Sequence, residues 1–103
     1  MEIYLLPLEN TPQRFEIELD GRLFILQCVW NGEAPAWMLD LYDAETSEPL
    51  FHSVPLVAGE DILKPYRYLG INGQLFVYTD GAEMEPPTLD NLGRESNLYF
   101  VTP

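Results

Sequence analysis

Between Phe15 and Leu26 the chain reads FEIELDGRLFIL, and this stretch restricts the fold more than any other. Phe15, Ile17 and Leu19 alternate with Glu16 and Glu18, the period of two that a half-buried strand requires. Asp20-Gly21 then supplies a two-residue turn whose positive φ values suit a type I′ hairpin. Counting outward from that turn sets Leu19 opposite Arg22, Ile17 opposite Phe24 and Phe15 opposite Leu26, all on one side of the pair. The second strand is apolar on both faces, so it belongs inside a sheet while the first lies nearer an edge.

The remaining segments follow the same pattern. Ile3 to Leu8 reads as a strand interrupted by Pro7, which suits an edge, so residues 1–13 are expected to form an N-terminal arm or edge strand. Asn31-Gly32 and the looser EAPA lead into Trp37, Leu39 and Leu41, alternating with Met38, Asp40 and Tyr42. Pro49 to Val54 is a further strand, read with Leu50, His52 and Val54 on one face and Phe51 and Ser53 on the other. Gly59 to Lys64 is expected to form the one helical turn, acidic at its start and stopped by Pro65. Gln74 to Thr79 puts Leu75, Val77 and Thr79 on one face, and Asn97 to Thr102 closes the series. The stretch from Pro55 to Gly81 is thus a crossover, with Ile62, Leu63 and Leu69 inward and Lys64 and Arg67 exposed. Short strands joined by Gly, Pro and Asp turns predict an all-β fold, a small antiparallel β-sandwich or partly open β-barrel with one helical turn near residues 59–64.

At 103 residues the chain suits a single domain, 1–103. Seventeen acids against five bases leave a net charge of −12, which repels nucleic-acid phosphate and anionic lipid, so neither is an expected partner. Cys28 is the only cysteine, which excludes an internal disulfide and suits a reducing compartment. The start, MEIYLLPLEN, has no basic n-region and breaks its apolar run at Pro7, so it does not read as a signal peptide.

Catalytic chemistry finds little footing. A cysteine nucleophile needs a base, and Cys28 with His52 is the one available pair, yet Cys28 falls in an apolar strand where a buried thiol is usual. Asp40, Asp43, Asp90 and Glu95 supply carboxylates for a glycosidase-like pair, but nothing raises one above another. Asp80 to Glu85 offers oxygens for a loose calcium contact without the spacing of an EF-hand loop. No catalytic residue, cofactor or metal is therefore assigned. Trp30, Trp37, Tyr66 and Tyr68 are residue types that anchor interfaces and also fill small β cores.

The order of segments carries more information than any single residue. Val54-Pro55-Leu56-Val57 is followed by Gly59, Asp61, Ile62, Leu63, Tyr66, Tyr68-Leu69-Gly70-Ile71 and Gly73. Leu75, Val77, Thr79-Asp80-Gly81, Pro87-Thr88, Asp90-Asn91-Leu92-Gly93, Ser96 and Leu98-Tyr99-Phe100-Val101 come next, and Trp37 to Leu41 fits as well. In this order the chain resembles the small baseplate plug proteins of contractile-tailed bacteriophages, those like the cyanophage hub plug. The resemblance implies a non-enzymatic virion component, assembled in the host cytoplasm and sited at the tail baseplate. It further implies the hub protein and neighbouring tail tube or spike proteins as partners, in a symmetric hetero-oligomeric assembly. It carries no catalytic residue across. Tyr66, Arg67, Tyr68, Asp90 and Asn91 are the candidate partner interface. The alternatives from residue chemistry are a small-molecule or carbohydrate-binding β module using the aromatics, and an acid hydrolase using paired carboxylates.

Overall fold

The described residues form seven strands, β1 Ile3–Leu6, β2 Gln13–Leu19, β3 Arg22–Asn31, β4 Ala36–Asp43, β5 Pro49–Pro55, β6 Gln74–Thr79 and β7 Ser96–Val101. The structure is a computed structural model and describes residues 2–81 and 85–103. Strands β1-β7-β6 make one antiparallel sheet and β2-β3-β4-β5 the other. Their inner faces share one buried cluster, in which Leu6, Leu75, Leu98 and Phe100 meet Phe24, Leu26, Trp37, Leu39 and Leu41. The fold is all-β, an open sandwich rather than a closed barrel.

The β2–β3 hairpin has the register counted from its turn: Leu19 faces Arg22, Ile17 faces Phe24 and Phe15 faces Leu26. Asp20 and Gly21 have φ of 52° and 79°, the pair of positive values that a type I′ turn requires. β3 lies inside its sheet and β2 at the edge; on one face of β3 Phe24, Leu26 and Cys28 are buried, while on the other Ile25 and Val29 are half-buried and Leu23 is exposed.

β5 departs from simple alternation. Phe51 pairs with Leu41 and Val54 with Leu39, although strict alternation sets Phe51 and Val54 on opposite faces. The register shifts between these pairs, and Ser53 sits at φ 52°. Asp40 is the cause: its carboxylate accepts the Ser53 N–H at 2.6 Å and the Gln27 side-chain N–H at 3.0 Å. A buried carboxylate must be hydrogen-bonded, and the bulge brings a backbone donor to it. His52 and Ser53 are left outside while Phe51 turns into the core.

The one helix among the described residues is also displaced. It is a 3-10 helix at Lys64–Leu69 and begins where the expected turn at 59–64 ends. Proline lacks an N–H that the first turn does not need, so Pro65 opens the helix instead of stopping it. The burial pattern of the crossover is as expected: Ile62 and Leu63 are buried, Leu69 packs against the core, and Lys64 and Arg67 are exposed.

Candidate partner interface

Asp61 organises the crossover. One of its carboxylate oxygens accepts the Leu63 N–H at 3.0 Å and the Leu75 N–H at 2.9 Å, and the other meets the Arg67 guanidinium. Arg67 also donates to the Gly73 carbonyl, so a single ion pair ties the helix to the start of β6. Ala58 bridges Val77, and the Ile62 N–H donates to the Leu75 carbonyl at 2.8 Å, so the crossover covers the outer edge of β6. Between crossover and β5 runs an open groove of about 730 Å³, lined by Val54, Val57, Glu60, Asp61, Lys64 and Tyr66 among others.

Of the five candidate interface residues, three project from this helix. Tyr66 lies against Phe51, ring centroids 4.9 Å apart, and is half-buried. Tyr68 is 78% exposed and is the outermost aromatic of the chain's described residues. Arg67 is partly committed to Asp61. Asp90 and Asn91 lie elsewhere. The helix packs where Phe51 pairs with Leu41, and Arg22 links the Leu69 carbonyl to Asp43. The loop of Asp90 instead packs at Trp37, whose indole N–H donates to the Thr88 carbonyl at 2.8 Å. Leu41 and Trp37 are separated by four residues of β4, about 13 Å. The structure therefore brings Tyr66, Arg67 and Tyr68 together and leaves Asp90 and Asn91 apart from them.

Asn91 holds its own loop together. Its side chain accepts the Thr88 N–H at 2.7 Å, its N–H donates to the Thr88 hydroxyl at 3.2 Å, and its carbonyl accepts from Arg94 and Ser96. Asp90 offers its carbonyl to the Asn10 side chain. An Asx-type residue saturated in this way shapes a turn.

One surface is absent from the candidates drawn from sequence. On the three-stranded sheet Leu6, Leu75, Val77, Leu98 and Phe100 point inward, so the alternate residues form its outer face. Register places Ile3 beside Val101 and Gln74, Leu5 beside Tyr99 and Phe76, and Asn97 beside Tyr78. Six of these eight side chains are apolar or aromatic and none is charged, on a chain of net charge −12. Ile3, Leu5, Gln74 and Tyr78 are exposed and the others half-buried. The sequence signal was the apolar character of these strands at both parities, which otherwise reads as burial on both sides. Uncharged apolar faces of this kind mark interaction sites.

A protein-family model described as "Cyanophage baseplate Pam3 plug gp18" matches residues 3–103. The chain belongs to this baseplate plug family. No curated protein matches it. Membership in the plug family makes the chain a structural, non-enzymatic component of the virion's tail baseplate.

Cys28 is fully buried, and burial pushes its thiol up to about 12, with the nearby Asp40 adding to the shift. His52 sits on the outside of β5, facing Tyr42 and 3.6 Å from Asp40, so it does not join Cys28. Asp40 is occupied by Ser53 and Gln27. Asp43 pairs with Arg22 at 3.0 Å, and that hydrogen bond, with those from the Glu45 and Thr46 amides, holds its carboxyl below the usual range. Asp90 and Glu95 are exposed. Among the described residues no cluster of three metal-ligating side chains occurs, and the calcium candidate Asp80 to Glu85 includes residues 82–84, outside the described residues. Trp37 is buried and Trp30 packs edge-on against it at 5.5 Å. Neither tryptophan lines the crossover groove, whose lining includes Tyr66.

Proposed function

We propose that this plug-family chain docks on the baseplate hub through the outer face of its three-stranded sheet. The observation that carries the reading is the uncharged row Leu5, Tyr99 and Phe76 on a strongly acidic protein. A solubilising surface repels neighbours, whereas a face without charge loses no ion hydration when covered. The helix at Lys64–Leu69, with Tyr66, Arg67 and the projecting Tyr68, forms a second contact at one end of the molecule. Asp90 and Asn91 act through the shape of their loop at the other end. Tail tube and spike proteins are the further neighbours, within an assembly that follows the symmetry of the hub.

Co-expression with the hub protein tests the reading. Wild-type chain co-purifies with the hub; Tyr99→Glu and Tyr78→Glu lose at least ten-fold of the recovered complex while keeping the far-ultraviolet dichroism of the fold. Undiminished recovery of both variants would show that the docking face lies elsewhere.

A further inference from the structure

The two sheets have four outer edges, and three are protected. β6 is covered by the crossover through the Ala58–Val77 bridge and the Ile62 N–H. β5 is bounded by Pro49 and Pro55 and broken at Ser53. β2 carries Arg14, Glu16 and Glu18. These are the devices by which sheets avoid joining other chains. β1 has none of them within Ile3–Leu6 and exposes Ile3, Tyr4 and Leu5.

The backbone of β1 is available in a definite pattern. The Thr102 N–H donates to the Glu2 carbonyl at 2.9 Å, so Glu2 belongs to the hydrogen-bonded set facing β7. Antiparallel pairing alternates, which assigns Tyr4 and Leu6 to the same set and turns the N–H and C=O of Ile3 and Leu5 to the free edge. Beside that edge, between β1 and β2, lies a groove of about 770 Å³. Tyr4, Leu6, Ile17 and Leu19 line it, and among the described residues the charged ones that line it are Glu2, Glu18 and Asp20, all acidic. Tyr4 donates its hydroxyl to Glu2 at 2.6 Å, which leaves that carboxylate further acceptor sites.

We propose that β1 receives an added strand from a different chain, an extended segment with alternating apolar and basic residues. Its apolar side chains extend the outer face beside Ile3 and Leu5. Its basic side chains lie on the groove side, where their methylene stems cover Tyr4 and Ile17 and their heads reach Glu2, Glu18 and Asp20. A second copy of this chain does not fit, because a copy would bring its own acidic groove to an acidic groove. The inference deepens the docking reading above by naming the chemistry of one partner segment, and rests on that reading only for the source of the segment.

Hydrogen exchange on the free chain tests it, with the peptide acetyl-Arg-Val-Arg-Val-Arg-Val-amide at millimolar concentration as probe. The amides of Ile3 and Leu5 are expected to slow at least ten-fold, while Tyr4 and Leu6, already paired with β7, change little. The same peptide N-methylated at alternate residues keeps its charge but cannot pair, and is expected to give no protection. Glu18→Lys, on the exposed face of β2, is expected to weaken the effect about ten-fold without altering the fold. Equal protection by the N-methylated peptide, or none by either, overturns the proposal. Concentration-dependent protection of Ile3 and Leu5 without peptide also overturns it, in favour of a second copy. Because the hub is absent from this experiment, its failure leaves the co-purification result standing, and the converse holds.

Discussion

The Asp61 carboxylate accepts the backbone N–H of Leu75 at 2.9 Å, across fourteen residues of chain, and through it the crossover is fastened to β6. The same oxygen holds the Leu63 N–H, so one side chain fixes both the entry to the helix and the edge of a sheet. Burial of Ile62 and Leu63 beside it contributes about 1.5–3 kcal/mol each.

Removal of Asp61 leaves two amides without their acceptor, whereas removal of Arg67 takes away a half-exposed cation. Asp61→Ala is expected to lower unfolding free energy by about 2–4 kcal/mol. Arg67→Ala is expected to lower it by about 1 kcal/mol or less. Urea denaturation of both variants checks the ordering, and equal losses would mean that the ion pair rather than the amide acceptor holds the crossover.

Gly93 has φ +83°, and a Cβ there would run into the backbone of Leu8. Gly70, at φ +76°, has open space at the same position. Gly70→Ala is therefore expected to cost about 1–2 kcal/mol, the left-handed penalty alone. Gly93→Ala is expected to cost more than twice as much, because neither backbone can yield without moving the Leu8 segment away from the Leu92 turn. Thermal unfolding of the two variants side by side gives the comparison.

Cys28 provides a pH prediction. Its thiol titrates at about 12 in the fold and near 8.5 when unfolded. Between those values the unfolded chain has released a proton that the native chain retains, so stability falls as pH rises. The full contribution is present below about pH 8.5, and Cys28→Ala is expected to flatten the alkaline loss through that window. Iodoacetamide at pH 8 is expected to label Cys28 only in denaturant, and rapid labelling of the native chain would contradict its burial.

What the sequence revealed depended on how local the cause was. The β2–β3 register followed from the Asp20-Gly21 turn because both residues that set it are adjacent. The faces of β5 did not follow, since the bulge at Ser53 answers a carboxylate on β4 that no local pattern exposes. Pro65 was ambiguous for a similar reason. The residue before a proline avoids helical geometry on average, yet Leu63 and Lys64 are held by Asp61, and the proline then serves as a first-turn residue. At the candidate interface, Tyr68 was legible as an aromatic beside a turn. Asn91 was not legible as a loop brace, and the outer sheet face emerged only once Leu5, Tyr99 and Phe76 were brought into register from strands far apart in the chain.

The most direct measurement is a density map of the assembled baseplate at side-chain resolution. Another chain is expected to cover Leu5, Phe76 and Tyr99 on the three-stranded sheet. A map in which that face meets solvent while the chain is held by other surfaces would contradict it.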